Sequence, residues 1–314
     1  MIQSWAIKVE KLRKDYPGLT AVHDLDFGVR EGCIHGFLGP NGAGKSTTLR
    51  MICGLLRPTS GQVLVQTFNP VTQPDEVKAL VGLLPENTPL YREMSVEDFL
   101  VFAARLRNVP ATEVAKNVTK VIDQTGLGDV RSRLIGNLSK GYRQRVGIAQ
   151  SLVHNPKVVI LDEPTAGLDP QSVVEIRSLI KSLKGEKTII FSSHILSEVE
   201  EICDTISIIG RGHLKANGDL QDIKRAFQGK GLVKVETDRL LTEAELKNLL
   251  ALNFVEAVEV DGAWLKIAPR SAQDVRPELV KHLVGIGVGV RAVEYVVPQL
   301  EQVFMAVTKQ EGVV

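Results

Sequence analysis

The sequence predicts an α/β core followed by a smaller α+β unit, and three observations carry that prediction. Two continuous apolar runs, "KVVILDEP" and "KTIIFSSH", are each followed by turn chemistry and a helical pattern, as suits strands of a parallel sheet covered on both faces. A third run, "CIHGFLG", leads straight into a glycine-rich turn and then the helical pattern "KSTTLRMICGLL". Near "QGKGLVKV", residues 228–235, glycines and polar residues separate this core from a second pattern, so the division is drawn as 1–228 and 229–314.

Taken in order, residues 5–38 read as short strands, with Leu25, Phe27 and Val29 alternating. After the helix that follows the glycine-rich turn, "SVEDFLVFAARLRN" predicts a helix over 95–107, with Ser95 as N-cap and Asp98 three residues on. Residues 90–156 are mainly helical and form an insertion between strands of the core. The second unit reads as strand 232–236, helix 242–251, strands 255–260 and 263–268, helix 273–285, strand 288–295 and a last helix 298–309. Its β-α-β-β-α-β order is that of a small ferredoxin-like domain. No internal repeat or low-complexity segment interrupts either part.

Composition narrows the function classes. At 314 residues and 44% apolar content, the chain can build about two globular units with full cores. Thirty-eight basic and 37 acidic residues leave a net charge of +1, so phosphate-backbone attraction has no global basis and no nucleic-acid partner is expected. Cys33, Cys53 and Cys203 are scattered without a C-x-x-C pair, which supports neither a disulfide framework nor a zinc site. No apolar run approaches the ~18–20 residues that span a bilayer, and "MIQSWAIKVEKLRKDY" lacks the apolar centre of a signal peptide. If the protein works at a membrane, something else crosses it.

Three stretches carry chemistry. "GPNGAGKS", residues 39–46, fits G-x-x-x-x-G-K-[ST] between an apolar strand and a helix. In that pattern the backbone of Gly39, Pro40, Asn41, Gly42, Ala43 and Gly44 wraps phosphate oxygens, continuing through Lys45, Ser46 and Thr47. Lys45 reaches the β and γ phosphates and the Ser46 hydroxyl can ligate Mg²⁺. In "VVILDEP" the strand delivers Asp162 and Glu163 at its carboxyl end, pointing to opposite sides and so free for different work. Asp162 suits a magnesium shell and Glu163 suits a general base polarising the attacking water; an acidic turn closing a buried strand is the plainer alternative. His194 ends the next apolar strand, either as a structural hydrogen-bonder or as the group that holds γ phosphate and water in line. "LSKGYRQR" from residue 138 reads as a helix capped by Ser139, on local grounds either an ordinary capped helix or a helix start whose backbone could hold a phosphate.

The order of these motifs, phosphate loop, helical insertion with Ser-x-Gly, Asp-Glu strand, "AGLDP", then histidine, resembles the ATP-binding subunit of ABC transporters over residues 5 to about 225. The resemblance implies a P-loop core with an antiparallel β subdomain and a helical subdomain, and ATP and Mg²⁺ as ligands. It also implies that the signature segment of one chain closes over ATP held by another. Ser139 and Gly141 would then contact γ phosphate in trans, Asp169 would lie in the inter-subunit loop, and Tyr16 in "KDYPGLTAV" would stack on adenine. Two copies would form a symmetric pair with two ATP molecules at the seam. Departures are visible: Lys140 and Tyr142 stand where the common spelling Leu-Ser-Gly-Gly-Gln has glycine and glutamine, and Glu86 stands where glutamine is usual. Glu86 can accept from water and ligate Mg²⁺ but cannot donate as an amide does. These spellings are similar to ATPase subunits of ABC-2 type exporters, including the gliding-motility-associated branch.

That branch implies separately encoded transmembrane permease subunits and a place on the cytoplasmic face of the cell membrane. Contact with the permease is expected from Glu86 through Tyr91 into helix 95–107, with Leu90 and Tyr91 as an apolar face. "VPQLEQVFMAVT" is similar to the closing helix of such subunits, or is an amphipathic packing helix, and the appended domain suits support or regulation. Two further readings stand beside this one: a soluble ABC-type ATPase acting on ribosomes, DNA or cluster assembly, and a nucleotide-dependent switch that scarcely turns over. The single cassette and near-neutral charge count against the first. Asp162, Glu163 and His194, all in place, count against the second.

Overall fold

The computed structural model describes residues 4–227, 232–271 and 274–296. Two compact units divide the chain, Met1–Leu220 and Gln221–Val314, so the division falls ahead of the 228/229 boundary drawn from the sequence.

The first unit opens with two 12-residue strands, β1 (Trp5–Tyr16) and β2 (Leu19–Arg30), rather than the several short strands expected. They pair antiparallel through a two-residue turn, Pro17–Gly18, in which Gly18 takes φ +76°. After β3 (Ile34–Leu38) and α1 (Lys45–Ile52), β4 (Ser60–Val65) joins the other side of β1, giving the antiparallel order β2-β1-β4. Alternation is the reason these strands form a sheet with one buried face: Ile7, Val9, Leu12, Val22, Leu25, Phe27 and Val29 all enter the core.

Then come α2 (Pro74–Leu80), β5 (Val81–Leu84) and the helical insertion of α3 (Val96–Leu106), α4 (Ala111–Gln124) and α5 (Lys140–Leu152). Ser95 caps α3 as expected, its Oγ accepting the Asp98 N–H at 3.1 Å. The remaining elements are β6 (Val158–Asp162), α6 (Pro170–Ser182), β7 (Thr188–Ser193), α7 (Leu196–Ile202), β8 (Thr205–Gly210) and β9 (His213–Asp219), and α8 (Leu220–Phe227) follows at the boundary between the units. Six strands form one sheet in the order β5-β6-β7-β3-β8-β9, parallel throughout except for the antiparallel edge strand β9. Every residue of β3, β6, β7 and β8 is buried, which is why β3, β6 and the first part of β7 read as largely apolar runs.

A histidine lies in the middle of that sheet among buried hydroxyls. His35 on β3 is fully buried, with Nδ1 2.7 Å from Thr205 Oγ1 and Nε2 3.0 Å from Ser207 Oγ. Burial pushes its pKa down to about 3, so it is neutral.

The second unit contains β10 (Leu232–Thr237), α9 (Glu243–Leu250), β11 (Val255–Asp261), β12 (Trp264–Pro269), α10 (Arg276–Gly285) and β13 (Val290–Val296). Its strands pair antiparallel in the order β11-β12-β10-β13, the split β-α-β arrangement expected. Val233, Val235, Leu265 and Ile267 from the two central strands meet Leu249 of α9 and Leu279 and Leu283 of α10 in a core of its own. Thr242 and Glu245 form a capping box at α9, and the Arg239 guanidinium holds the Glu245 carboxyl at about 2. The helix expected over 298–309 lies outside the described residues.

Candidate functional site

The parallel register sets which residues meet. β6, β7 and β3 are consecutive neighbours in the sheet, and Asp162 aligns with Ser192 while Leu38 aligns with Ser193. Their carboxyl ends therefore bring residues 39–47, 162–163 and 192–194 together, at the edge where open α/β sheets bind ligands.

From Leu38 the chain turns through the glycine-rich loop into α1. Gly39 is required by close approach: a Cβ there would lie 2.6 Å from the Ile209 carbonyl oxygen. Gly44, at φ +100°, precedes the helix, and the Thr48 N–H closes back on its carbonyl at 3.0 Å. The Lys45 side chain folds over its own loop. Its buried Nζ donates to Gly39 O at 2.7 Å and Pro40 O at 3.4 Å and lies 3.1 Å from Glu163 Oε1.

Glu163 follows β6 in the left-handed region at φ +50°, unusual for a residue with a side chain. Its Oε2 is 2.8 Å from His194 Nδ1. Its buried Oε1 has only the ion-pair contact with Lys45 and no aligned hydrogen bond. The carboxylate thus sits between a cation and an imidazole with one oxygen still able to accept, the condition a proton acceptor for water requires. Asp162 is equally buried, and Ser192 links the two acids: its hydroxyl accepts the Glu163 N–H at 2.9 Å and donates to Asp162 Oδ1 at 2.6 Å.

A cavity of about 420 Å³ is lined by Tyr16, Pro40, Asn41, Gly42, Gly44, Lys45, Ser46, Thr47, Glu86, Glu163 and His194, together with Leu19, Ala21 and Ala166. Gly39 and Ala43 belong to its loop without lining it, and Asp162 is buried one residue behind Glu163. Tyr16 is 43% exposed at the rim, with Lys14 Nζ 5.3 Å from its ring centroid. The oxygen donors Ser46, Asp162 and Glu86 suit Mg²⁺, which binds through one or two carboxylates plus substrate phosphates. Among the described residues no cluster of three or more His, Cys, Asp or Glu forms an all-protein metal cage.

Ser139, Gly141 and Asp169 do not line this cavity. Ser139 caps α5, its Oγ accepting the Tyr142 N–H at 3.3 Å. Asp169 caps α6, and the Ser172 hydroxyl and N–H hold its carboxyl below the usual carboxylate range. Ser192 escaped the sequence reading, as did the buried Glu198, which accepts from Thr165 Oγ1 at 2.8 Å and Ser193 Oγ at 2.9 Å. The available signal was the pair of hydroxyls in "FSSH", polar residues at the end of an otherwise apolar strand.

Comparison with known proteins follows the same division. The ABC transporter family profile matches residues 22–166, and that of the ATP-binding protein DrrA1-3-like C-terminal domain matches residues 218–308. The bacitracin transport ATP-binding protein BcrA of Bacillus licheniformis is 37% identical over 245 residues, covering 74% of this chain and 79% of BcrA. The linearmycin resistance ATP-binding protein LnrL of Bacillus subtilis (strain 168) is 31% identical over 305 residues, covering 96% of this chain and 98% of LnrL. A solved ATP-binding subunit of an ABC transporter superimposes with a TM-score of 0.64 at 30% identity, over 71% of this chain and 93% of its own. Among the described residues no helix is long and apolar enough to cross a membrane. Identity sustained along nearly the whole of LnrL settles the kinship: the chain belongs to the ATP-binding subunits of ABC transporters and is an ATPase.

Proposed function

We propose that this ATPase powers an ABC-2 type membrane exporter, working as one of a pair of chains that closes over two ATP molecules. The observation that carries the reading is the separation of two phosphate-suited elements on one chain. The glycine-rich loop, Lys45, Glu163 and His194 share a cavity, whereas Ser139 and Gly141 do not line it. A second chain supplies what the first cavity lacks.

Within one site, the loop backbone and α1 hold the β and γ phosphates, and Lys45 exchanges its contact with Glu163 for phosphate oxygens. Tyr16 stacks on adenine at the rim. Ser46, Asp162 and Glu86 would hold Mg²⁺, which supplies positive charge at the phosphate oxygens. Glu163 accepts a proton from water as the water oxygen bonds to the γ phosphorus and the bond to the ADP oxygen breaks. His194 keeps Glu163 oriented through its 2.8 Å contact and faces the γ phosphate with its other nitrogen.

A groove of about 640 Å³, lined by Leu55, Lys78, Leu83, Leu106, Arg107 and Gln150 among others, supports docking of a membrane subunit. Within the expected contact segment, the exposed Tyr91 ring stands edge-on to Phe99 and Phe102 at 6.1 and 5.5 Å. The similarity to BcrA and LnrL, whose names record bacitracin transport and linearmycin resistance, supports export. The appended unit serves support or regulation.

The test is Glu163→Gln. Turnover falls about 10²- to 10⁴-fold while ATP binding persists and Mg-ATP drives dimer formation in sedimentation. Undiminished hydrolysis removes Glu163 from its role, and a strictly monomeric protein removes the pair. Copurification from membranes with a multi-span subunit that lacks its own ATPase tests the exporter assignment.

A further inference from the structure

Lys140 is the first residue of α5, directly after the Ser139 cap. A cation there opposes the helix dipole, whose N-terminal end favours negative charge. The exposed side chain compensates by bending across to another loop: Nζ donates to the carbonyl oxygens of Ala166 at 2.8 Å and Gly167 at 3.1 Å. Gly167 takes φ +65°, and a Cβ on it would lie 2.5 Å from Lys140 Nζ, so the loop leaves room for the ammonium.

Those carbonyls belong to the segment that runs from Glu163 to the Asp169 cap of α6. The segment is internally braced, with the Ala166 N–H on Glu163 O at 3.1 Å and the Leu168 N–H on Thr165 O at 3.2 Å. Thr165 fastens it to the buried Glu198, which also holds Ser193 beside His194. At its far end Ser172 bonds Asp169, and a Cβ on Gly141 would lie 2.5 Å from Ser172 Oγ. The loop that carries Glu163 is therefore fixed to its own sheet through Glu198. It is fixed to the start of α5 through Lys140.

We propose that Lys140 is a positioning residue that makes the Ser139–Gly141 segment and the Glu163 loop of the same chain move as one piece. The inference rests on the two-chain reading above and adds regulation to it. Each chain lends Ser139 and Gly141 to its partner's ATP while its own Glu163 serves its own ATP. A strut between those two elements lets the occupancy of one site set the hydrolytic loop of the other, and the result is cooperative hydrolysis. Lys140 itself touches no nucleotide.

The experiment is steady-state hydrolysis by the full chain across an ATP titration, for the wild type, Lys140→Met and Lys140→Arg. Methionine keeps a linear stem without the donor, at an exposed position. Lys140→Met is expected to lower kcat about tenfold and bring the Hill coefficient to about 1, with KM moving less than about twofold. Arginine, which can donate to both carbonyls, restores at least about half of kcat and the cooperativity. Wild-type kcat and Hill coefficient in Lys140→Met overturn the inference. So does a rise in KM alone, which would make Lys140 a nucleotide ligand, and so does a wild-type Hill coefficient of 1. Sedimentation of Glu163→Gln with Mg-ATP separates the two layers: loss of the dimer removes the two-chain reading, whereas a retained dimer with unaltered Lys140→Met kinetics removes this inference alone.

Discussion

Replacing Ser192 with alanine removes one oxygen atom from a fully buried position and breaks two bonds at once. The first is the 2.6 Å bond to Asp162 Oδ1, a contact to a charged acceptor of about 1.5–3 kcal/mol. The second is the 2.9 Å bond from the Glu163 N–H, a neutral one of about 1 kcal/mol, which leaves that N–H buried and unpaired. Together Ser192→Ala should destabilise the first unit by about 2–4 kcal/mol. The two tryptophans allow a clean reading, because Trp5 lies on β1 in the first unit and Trp264 on β12 in the second. Urea unfolding followed by fluorescence in a Trp264→Phe background reports the first unit alone. Because Ser192 also fixes the backbone of Glu163, kcat should fall about tenfold or more, and the Mg²⁺ needed for half-maximal rate should rise. A variant within about 0.5 kcal/mol of its parent, with an unchanged Mg²⁺ requirement, would refute the argument that this hydroxyl holds the two acids in place.

Glu86→Gln is expected to keep at least about a tenth of the ATPase rate, since both side chains offer an oxygen to water or Mg²⁺; complete loss in a phosphate-release assay would show that the acid has a role of its own. His35 predicts a pH dependence of stability. Its folded pKa of about 3 lies below the ordinary 6.5, so its contribution is full above pH 6.5 and is lost as pH falls from there toward 3. Between pH 6.5 and 5 the loss from this side chain is about 2 kcal/mol, and His154, lowered to about 4 chiefly by burial, adds in the same direction. Urea midpoints at the two pH values for wild type and His35→Gln check it: the variant should show a shallower slope, and an equal slope would remove His35 as the cause.

Three strands of the parallel core, β3, β6 and β7, were legible because burial on both faces selects mostly apolar residues; β8, whose Thr205 and Ser207 contact His35, was not singled out. The opening hairpin was legible only in part. Register shifts interrupt the β1–β2 pairing, Lys11 and Asp24 take positive φ, and Lys8, Lys11, Asp24 and Asp26 are exposed. Broken alternation made two long strands look like several short ones. The phosphate loop, Asp162, Glu163 and His194 were nameable as candidates because each combines a chemical type with a strand end, and the sheet register brings those ends together. Ser192 was not, because its role exists only when β6 and β7 lie side by side in one particular register. The caps at Ser139 and Asp169 follow from local pattern, but no local pattern records that Lys140 reaches 26 residues along the chain to Ala166.

Glu163 sits at φ +50°, a conformation that costs a residue with a Cβ about 1–2 kcal/mol and costs glycine almost nothing. On the proposed role of Glu163, the backbone alone favours glycine where hydrolysis needs the carboxylate, while the buried Lys45 ammonium 3.1 Å away favours the carboxylate. A library selected for heat resistance alone is expected to relieve that strain only where Lys45 is replaced as well, and such doubly changed proteins would be sturdy and inert. Any attempt to harden this enzyme by screening needs a hydrolysis readout in every round.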